Sequence, residues 1–404
     1  MQYNPQQPYQ SGQPYYGQPQ QYPAQQAPVQ QYPMQQAPVH QYPVQQYPVQ
    51  QAPVQQYPMQ QAPVQVPVRQ YAPPRCAPPQ MTPEQQRAYR YERSLRKTVN
   101  GLGAMMLIFF GLELILGVIT TLIASATGNS ELSESSPLFL LENGMLSMVI
   151  FFVAGLIYCF IKRVSFAEIF PFDKIGAGYL AKLCVIGLSF SLASNYVVDL
   201  INNTFGLFGI ENTGGNFDAG SQPNVLLYIL TVAVLPAFVE EFAFRGIVMG
   251  VLRPYSAGLA ILVSSATFAL MHGNFVQLPF TFCCGMVFAY IDIKTNSLLP
   301  SIIIHFLNNG LSVTSDILIS YGVLTEGQAN LCYGVIFAVT GILSFIFLKG
   351  IIKEKNSKYS DLQNGNDVVP FKRKVTLAAT SPTLIAFTVV MVLYCVLSLF
   401  TGTA

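Results

Sequence analysis

Charged residues are scarce in this chain. Only 10% of its 404 residues are Asp, Glu, Lys or Arg, whereas a soluble domain carries about 25%. The charges cluster in short stretches that separate long apolar runs, several of which exceed the roughly 18–20 residues needed to cross a hydrocarbon core. This pattern excludes an ordinary soluble domain and indicates a polytopic membrane protein.

A large net charge is also absent. The formal net charge is +2, so the composition does not favour a nucleic-acid partner. The seven cysteines fall mostly inside apolar runs and have neither metal-ligand nor disulfide spacing. They are therefore interpreted as small apolar side chains.

The N-terminal segment repeats a five-residue unit, Gln-Gln-(Tyr/Ala)-Pro-(Val/Met/Ala), up to about residue 80. Proline at every fifth position prevents a helix, and the unit offers nothing that could form a core. The sequence therefore predicts a disordered Gln/Pro/Tyr-rich cytosolic tail over 1–86. Its composition fits a solvated spacer or a Tyr/Pro docking segment, and both remain open.

Nine apolar runs follow the tail, near 102–124, 145–161, 179–200, 225–252, 256–272, 276–293, 297–319, 330–348 and 382–400. If all nine cross the membrane, every basic cluster falls on one side, which places the tail in the cytosol. The connections 126–143 and 201–224 carry only acidic charge. We therefore predict an all-α, multi-pass transmembrane bundle of about eight or nine helices, expected in the cell membrane.

These features divide the chain into five segments. They are the tail at 1–86, a basic juxtamembrane segment at 87–101, the helical bundle at 102–350 with a motif core at 225–312, a basic cytosolic connection at 351–380, and an additional C-terminal transmembrane helix at 381–404.

The fourth apolar run contains two adjacent carboxylates, Glu240 and Glu241. A charge in the hydrocarbon core costs at least ~2.5–3.5 kcal/mol, so both are candidates for function. Arg245 lies one turn after Glu241 on the same helix face and can neutralise it. Glu240 points about 100° away without a local partner, which makes it a candidate general base; an interhelical ion pair is the alternative. Pro236, one turn earlier, should free the carbonyl of Val232.

The chain has only three histidines, His40, His272 and His305. His40 occupies a Gln position of the tail repeat. The other two fall in apolar helices, with Phe268 one turn before His272 and Asn309 one turn after His305. Either histidine alone also fits an interhelical hydrogen bond. Polar groups on three separate helices, however, are expected to meet in the interior of the bundle.

Water-mediated amide hydrolysis fits these groups. Glu240 and one imidazole can activate a water molecule, and the other imidazole with Asn309 can stabilise the oxyanion. The sequence lacks Gly-x-Ser-x-Gly and His-Glu-x-x-His, which disfavours a serine hydrolase or a zincin on one helix. Glu240, His272 and His305 could also bind Zn²⁺ with water in the fourth position. Our preferred interpretation requires no cofactor.

The motifs resemble those of the CPBP family of intramembrane proteases, which includes the type II CAAX prenyl endopeptidases and bacterial homologues linked to bacteriocin self-immunity. They read Glu240-Glu241…Arg245, Phe268…His272 and His305…Asn309, within about residues 225–312. The resemblance implies that Glu240 and His272 position the water, that His305 and Asn309 form the oxyanion hole, and that Glu241 and Arg245 hold the site together.

The resemblance also implies a substrate, namely a membrane-anchored or lipidated protein or peptide in the lipid bilayer. The family is often described as metalloproteases, so zinc stays open. Two alternatives remain at this stage: a non-catalytic immunity or scaffold member of the same family, and a proton-coupled transporter. Glu113 in the first run and Asp199 in the third are unexplained charges that fit a transporter.

In addition, a straight-helix count puts His272 nearer the outer membrane face than Glu240 and His305.

Overall fold

The structure is a computed structural model that describes residues 81–126, 144–207, 224–353 and 368–401, without side chains for 350–353 and 398–401. The predicted tail lies almost entirely outside the described residues. Most of the two acidic connections and part of the basic connection at 351–380 lie outside them as well.

The described residues fold into helices, and their only β-pairing is one isolated bridge between Phe172 and Ser297. The helices are α1 Pro83–Ala126, α2 Ser147–Lys162, α3 Phe166–Ile169, α4 Ala177–Gly206, α5 Val225–Leu252, α6 Ala257–Met271, α7 Leu278–Thr295, α8 Leu299–Ser320, α9 Glu326–Lys353, α10 Phe371–Ala379 and α11 Pro382–Thr401.

Seven of these helices are long and apolar enough to cross a membrane, and the count is eight if α10 and α11, bent by 64°, form one span. This count covers the described residues. The predicted all-α transmembrane bundle is therefore confirmed, and the protein is an integral membrane protein. The direction of its insertion stays a prediction from the basic residues.

Helix α6 differs from the predicted fifth run. It has 15 residues, which span about 22 Å at 1.5 Å per residue, less than the roughly 30 Å of a hydrocarbon core. It ends at Met271, packs along α7, and is followed by Gly273 at φ +65°. Glycine adopts this backbone conformation without a Cβ penalty, so the chain can turn directly after His272.

Helix α5 is the centre of the bundle and packs against α2, α6 and α8. It is not a uniform α-helix: Ile229–Val234 and Glu241–Val248 are π-helical, and Leu235–Glu240 between them is α-helical. π-Helical turns are rare and are frequently found at functional sites. The Glu240-Glu241 pair lies at one of these transitions.

The C-terminal helices are part of the same bundle, since α10 and α11 both pack against α1 and α6. The Asn100 side chain in α1 accepts a hydrogen bond from the hydroxyl of Ser381 at 2.6 Å. Helix α10 lies within the segment predicted to be a cytosolic connection, and its Lys374 is fully buried with Nζ 3.0 Å from the carbonyl oxygen of Tyr255.

Candidate active site

Proline 236 shapes the wall of the site. It has no backbone N–H, so the carbonyl of Val232 lacks its usual helical donor. In the structure Nδ2 of Asn309, from α8, donates to that carbonyl oxygen at 3.0 Å. The expectation that Pro236 frees this carbonyl is confirmed, and the freed group fixes Asn309 against α5.

Glu241 and Arg245 form the predicted pair on one helix, with Nε of Arg245 3.3 Å from Oε2 of Glu241 and both side chains fully buried. Glu241 also accepts a hydrogen bond from Nδ1 of His305, at 2.9 Å from Oε1. One carboxylate thus links α5 to α8. This second contact sets both the orientation and the tautomer of His305, because it places a hydrogen on Nδ1.

Aromatic rings enclose the Arg245 guanidinium. Its central carbon lies 4.2 Å from the ring centroid of Phe268 and 5.6 Å from that of Phe288. Cation–π contacts of this kind are strongest when they are desolvated. Phe268 therefore has a physical role in the motif, since it packs against the buried cation and forms part of the site wall.

Glu240 has no partner on its own helix, as predicted, and faces α8. Its Oε2 lies 3.8 Å from Nε2 of His305, and its side chain is 16% exposed. His305 is therefore flanked by carboxylates at both ring nitrogens. Glu240 alone of the two glutamates lines the cavity.

His272 immediately follows the last residue of α6, and its Nδ1 lies 2.9 Å from the carbonyl oxygen of Phe268. If Nδ1 donates this hydrogen bond, Nε2 carries the lone pair. The short α6 resolves the depth problem raised by the sequence, because the helix stops where His272 can line the same cavity as Glu240 and His305.

One cavity of about 250 Å³ brings together all four residues predicted to be catalytic, Glu240, His272, His305 and Asn309. Phe268 lines it as well. Glu241 and Arg245 are not among the lining residues but lie behind His305 and Phe268. Helix α4 and helix α7 close the remaining sides with Ser191, Thr281 and Cys284.

Two features of the site were missed from the sequence. Asn308 lines the cavity and donates from Nδ2 to Oδ1 of Asn309 at 3.2 Å. Its position next to Asn309 in the sequence could have indicated that it belongs to the site. The contact between Glu241 and His305 joins residues 64 positions apart, and nothing in the spacing within either helix indicates it.

The zinc alternative stays a prediction. Among the described residues, no group of three His, Cys, Asp or Glu side chains is arranged to hold a metal ion. One nitrogen of each site histidine is hydrogen-bonded within the protein, which is also usual for histidines that bind a metal through the other nitrogen.

The other intramembrane charges lie elsewhere. Glu113 in α1 accepts a hydrogen bond from the hydroxyl of Ser147 in α2 at 2.7 Å, so it has a structural contact between helices. Asp199 lines a separate cavity of about 550 Å³ formed by α4, α8 and α9. Neither carboxylate lines the cavity of the candidate site.

Comparison with known proteins gives a match to part of the chain. Residues 222–311 match the family model described as type II CAAX prenyl endopeptidase Rce1-like, and this segment contains Glu240, His272, His305 and Asn309. Over this segment the chain is similar to the Rce1-like type II CAAX prenyl endopeptidases. No solved structure matches it.

Two curated proteins are similar to part of this chain, and each is matched over part of its own length. The chain is 33% identical over 118 residues to the membrane-embedded CAAX protease MroQ of Staphylococcus aureus (strain USA300), which covers 27% of the chain and 47% of that protein. It is 31% identical over 91 residues to an uncharacterized 24.3 kDa protein of Escherichia coli, with 21% and 42% covered. The match thus spans less than half of each relative.

Proposed function

We propose that the protein is an intramembrane endopeptidase that hydrolyses a peptide bond in a membrane-anchored or lipidated protein or peptide. The observation that carries this proposal is the meeting of Glu240, His272, His305 and Asn309, from α5, α6 and α8, in one cavity. The family match over 222–311 and the name of the S. aureus relative support the reaction class.

Glu240 and His272 activate the water. Glu240 lines the cavity, so its carboxylate can accept a proton from a water molecule bound there. With Nδ1 of His272 donating to Phe268, its Nε2 can accept the second hydrogen of the same water. Two acceptors fix the water's orientation, and general-base catalysis by such a pair contributes about 10²–10⁴-fold.

His305 and Asn309 stabilise the oxyanion. Nδ2 of Asn309 has two hydrogens and gives one to Val232, so the second is available to the substrate. Asn308 holds the amide in this orientation by donating to its oxygen. Nε2 of His305 is the ring nitrogen that faces the cavity, because Nδ1 is hydrogen-bonded to Glu241; it donates to the oxyanion when it carries a proton.

The steps balance without another reactant. The water oxygen forms a bond to the carbonyl carbon while Glu240 takes the water's proton, and the carbonyl oxygen becomes negative. Collapse of the tetrahedral intermediate breaks the carbon–nitrogen bond, and Glu240 returns the proton to the leaving nitrogen. His305 and Asn309 act where charge develops, which is the largest contribution in many enzymes.

Peptide cleavage by the purified full-length protein tests this assignment. Glu240→Ala and His272→Ala are each expected to abolish cleavage, because each removes one of the two groups that orient the water. The measurement is the rate of cleavage of a membrane-anchored reporter peptide in lipid nanodiscs, with thermal unfolding followed in parallel to verify that each variant is folded.

His40→Ala and Glu326→Gln are matched controls, since His40 lies in the tail and Glu326 begins α9 away from the cavity. Both should cleave at the wild-type rate. Undiminished cleavage by Glu240→Ala or His272→Ala would show that the assignment is wrong.

A further inference from the structure

Asp292, on the last turn of α7, is a buried carboxylate that the proposed chemistry does not use. Asp292 is 1% exposed, and a charged or polar side chain at such a site needs a partner. Ser301 supplies two hydrogen bonds, from its N–H to Oδ1 at 3.3 Å and from its hydroxyl to Oδ2 at 2.5 Å. The carbonyl oxygen of Leu298 is farther from the same hydroxyl, at 3.0 Å.

Asp292 also caps the helix that carries His305. Ser301 lies in the first turn of α8, where backbone N–H groups have no partner within the helix. A carboxylate at this end satisfies such a group and interacts favourably with the helix dipole. His305 follows Ser301 by four residues and lies one turn along the same face. The contact with Asp292 thus fixes the turn that precedes His305.

A second connection runs through Glu241. The Ser301 hydroxyl lies beside the Glu241 carboxylate, and Glu241 and Arg245 both interact electrostatically with Asp292. Glu241 in turn accepts the hydrogen bond from Nδ1 of His305. Ser301 therefore lies beside the partner of His305 as well as on its helix, and Asp292 holds Ser301 through two hydrogen bonds. Neither residue lines the cavity.

We propose that Asp292 and Ser301 are positioning residues that hold the Glu241–His305 pair so that Nε2 of His305 faces the developing oxyanion. This role rests on the proposed peptidase function. It assigns a catalytic consequence to two buried residues outside the three motifs.

The first test is kinetic and uses the full-length protein in nanodiscs with the reporter peptide. Asp292→Asn keeps the shape of the side chain but replaces one carboxyl oxygen by an NH₂ group, and Ser301→Ala removes the hydroxyl. Each is expected to lower kcat about 10–100-fold, as seen for partners that orient catalytic groups, with KM unchanged because neither residue lines the cavity. Ser301→Thr keeps the hydroxyl and should restore most of the lost kcat.

The chain offers two matched controls. Asp316 accepts a hydrogen bond from the Tyr228 hydroxyl at 2.9 Å, away from the site, so Asp316→Asn neutralises a comparable carboxylate. Ser265 is fully buried and its hydroxyl donates to Ile261 of its own helix, so Ser265→Ala removes a comparable hydroxyl. Both should keep the wild-type kcat. An Asp292→Asn variant with the kcat of Asp316→Asn, or with a loss confined to KM or to the folded fraction, would overturn the proposal.

The second test does not depend on catalysis. With only three histidines in the chain, ¹⁵N-histidine labelling gives few imidazole signals, and His305→Gln assigns that of His305. Asp292→Asn and Ser301→Ala should shift the His305 Nδ1–H signal, whereas the two controls should not. If these shifts occur but the wild type cleaves nothing, the peptidase assignment fails and the positioning network stands. If the wild type is active and the His305 signal is unchanged in Asp292→Asn, the positioning role fails.

Discussion

Three polar side chains in the cavity each have one atom hydrogen-bonded to the protein and one available to a ligand. Nδ1 of His272 contacts Phe268, Nδ1 of His305 contacts Glu241, and one hydrogen of Asn309 goes to Val232. These hydrogen bonds fix the rotamers of His272, His305 and Asn309 before a substrate binds. Preorganised donors of this kind stabilise developing charge without reorganisation during the reaction.

The side chains around the cavity determine the expected response to metal removal. Because the described residues offer no three-ligand group, cleavage should be unaffected by EDTA or 1,10-phenanthroline. The measurement is the rate of reporter-peptide cleavage after chelation and dialysis. A loss that added Zn²⁺ reverses would contradict the metal-free chemistry; a zinc-dependent peptidase assayed in the same buffer verifies that the chelator works.

At the scale of elements, the length of α6 determines where His272 lies. Its end depends on the turn at Gly273, where a Cβ atom would stand 2.6 Å from Cε1 of Tyr394 in α11. A side chain at this position would therefore meet both an unfavourable backbone conformation and a neighbouring helix.

Gly273→Ala is expected to destabilise the protein more than Gly322→Ala. Both glycines have positive φ, +65° and +67°, so each alanine costs about 1–2 kcal/mol of backbone strain. Nothing lies within 4 Å of the Cβ position at Gly322, whereas at Gly273 the contact with Tyr394 adds an overpacking cost of about 1–3 kcal/mol. Thermal unfolding of the two variants in detergent measures the difference, and equal melting temperatures would contradict the role of this contact.

The sequence predicted the helices and the residues of the site, but not the details of their junctions. Long apolar runs specify spans, and polar groups that cannot face lipid must meet inside the bundle, so the convergence of Glu240, His272 and His305 could be predicted. The run at 256–272 contains no Asp, Glu, Lys or Arg, and hydropathy does not indicate that the helix stops at Met271. The π-helical turns of α5 and the Glu241–His305 contact depend on tertiary packing between distant segments.

In the whole molecule, residues 222–311, which match the family model, form only part of a larger helical bundle. Helices α10 and α11 lie beyond the match and pack against α1 and α6. Phe387 and Met391 of α11 are buried in the main hydrophobic core. The C-terminal helices therefore belong to the structural unit that carries the site.

Truncation after residue 367, which removes α10 and α11, should lower both stability and cleavage. It exposes the buried faces of α1 and α6 and removes the Tyr394 ring beside Gly273. Deletion of 1–80 is the control at the other end, because the sequence favours a spacer there; it should leave the melting temperature unchanged. The measurements are thermal unfolding and peptide cleavage in nanodiscs, and an active, equally stable truncated protein would show that α10 and α11 are dispensable.

The shortness of α6 has a consequence for water. Irregular backbone at membrane depth is tolerated only where it is buried in protein or borders a water-filled space. The connection after α6 is irregular, and Oδ1 of Asn274 accepts hydrogen bonds from the backbone N–H groups of Val276 and Gln277 at 2.9 and 3.2 Å. Asn274 and Val276 are also buried in the protein. The proposed hydrolysis therefore needs water only in the cavity that His272 lines.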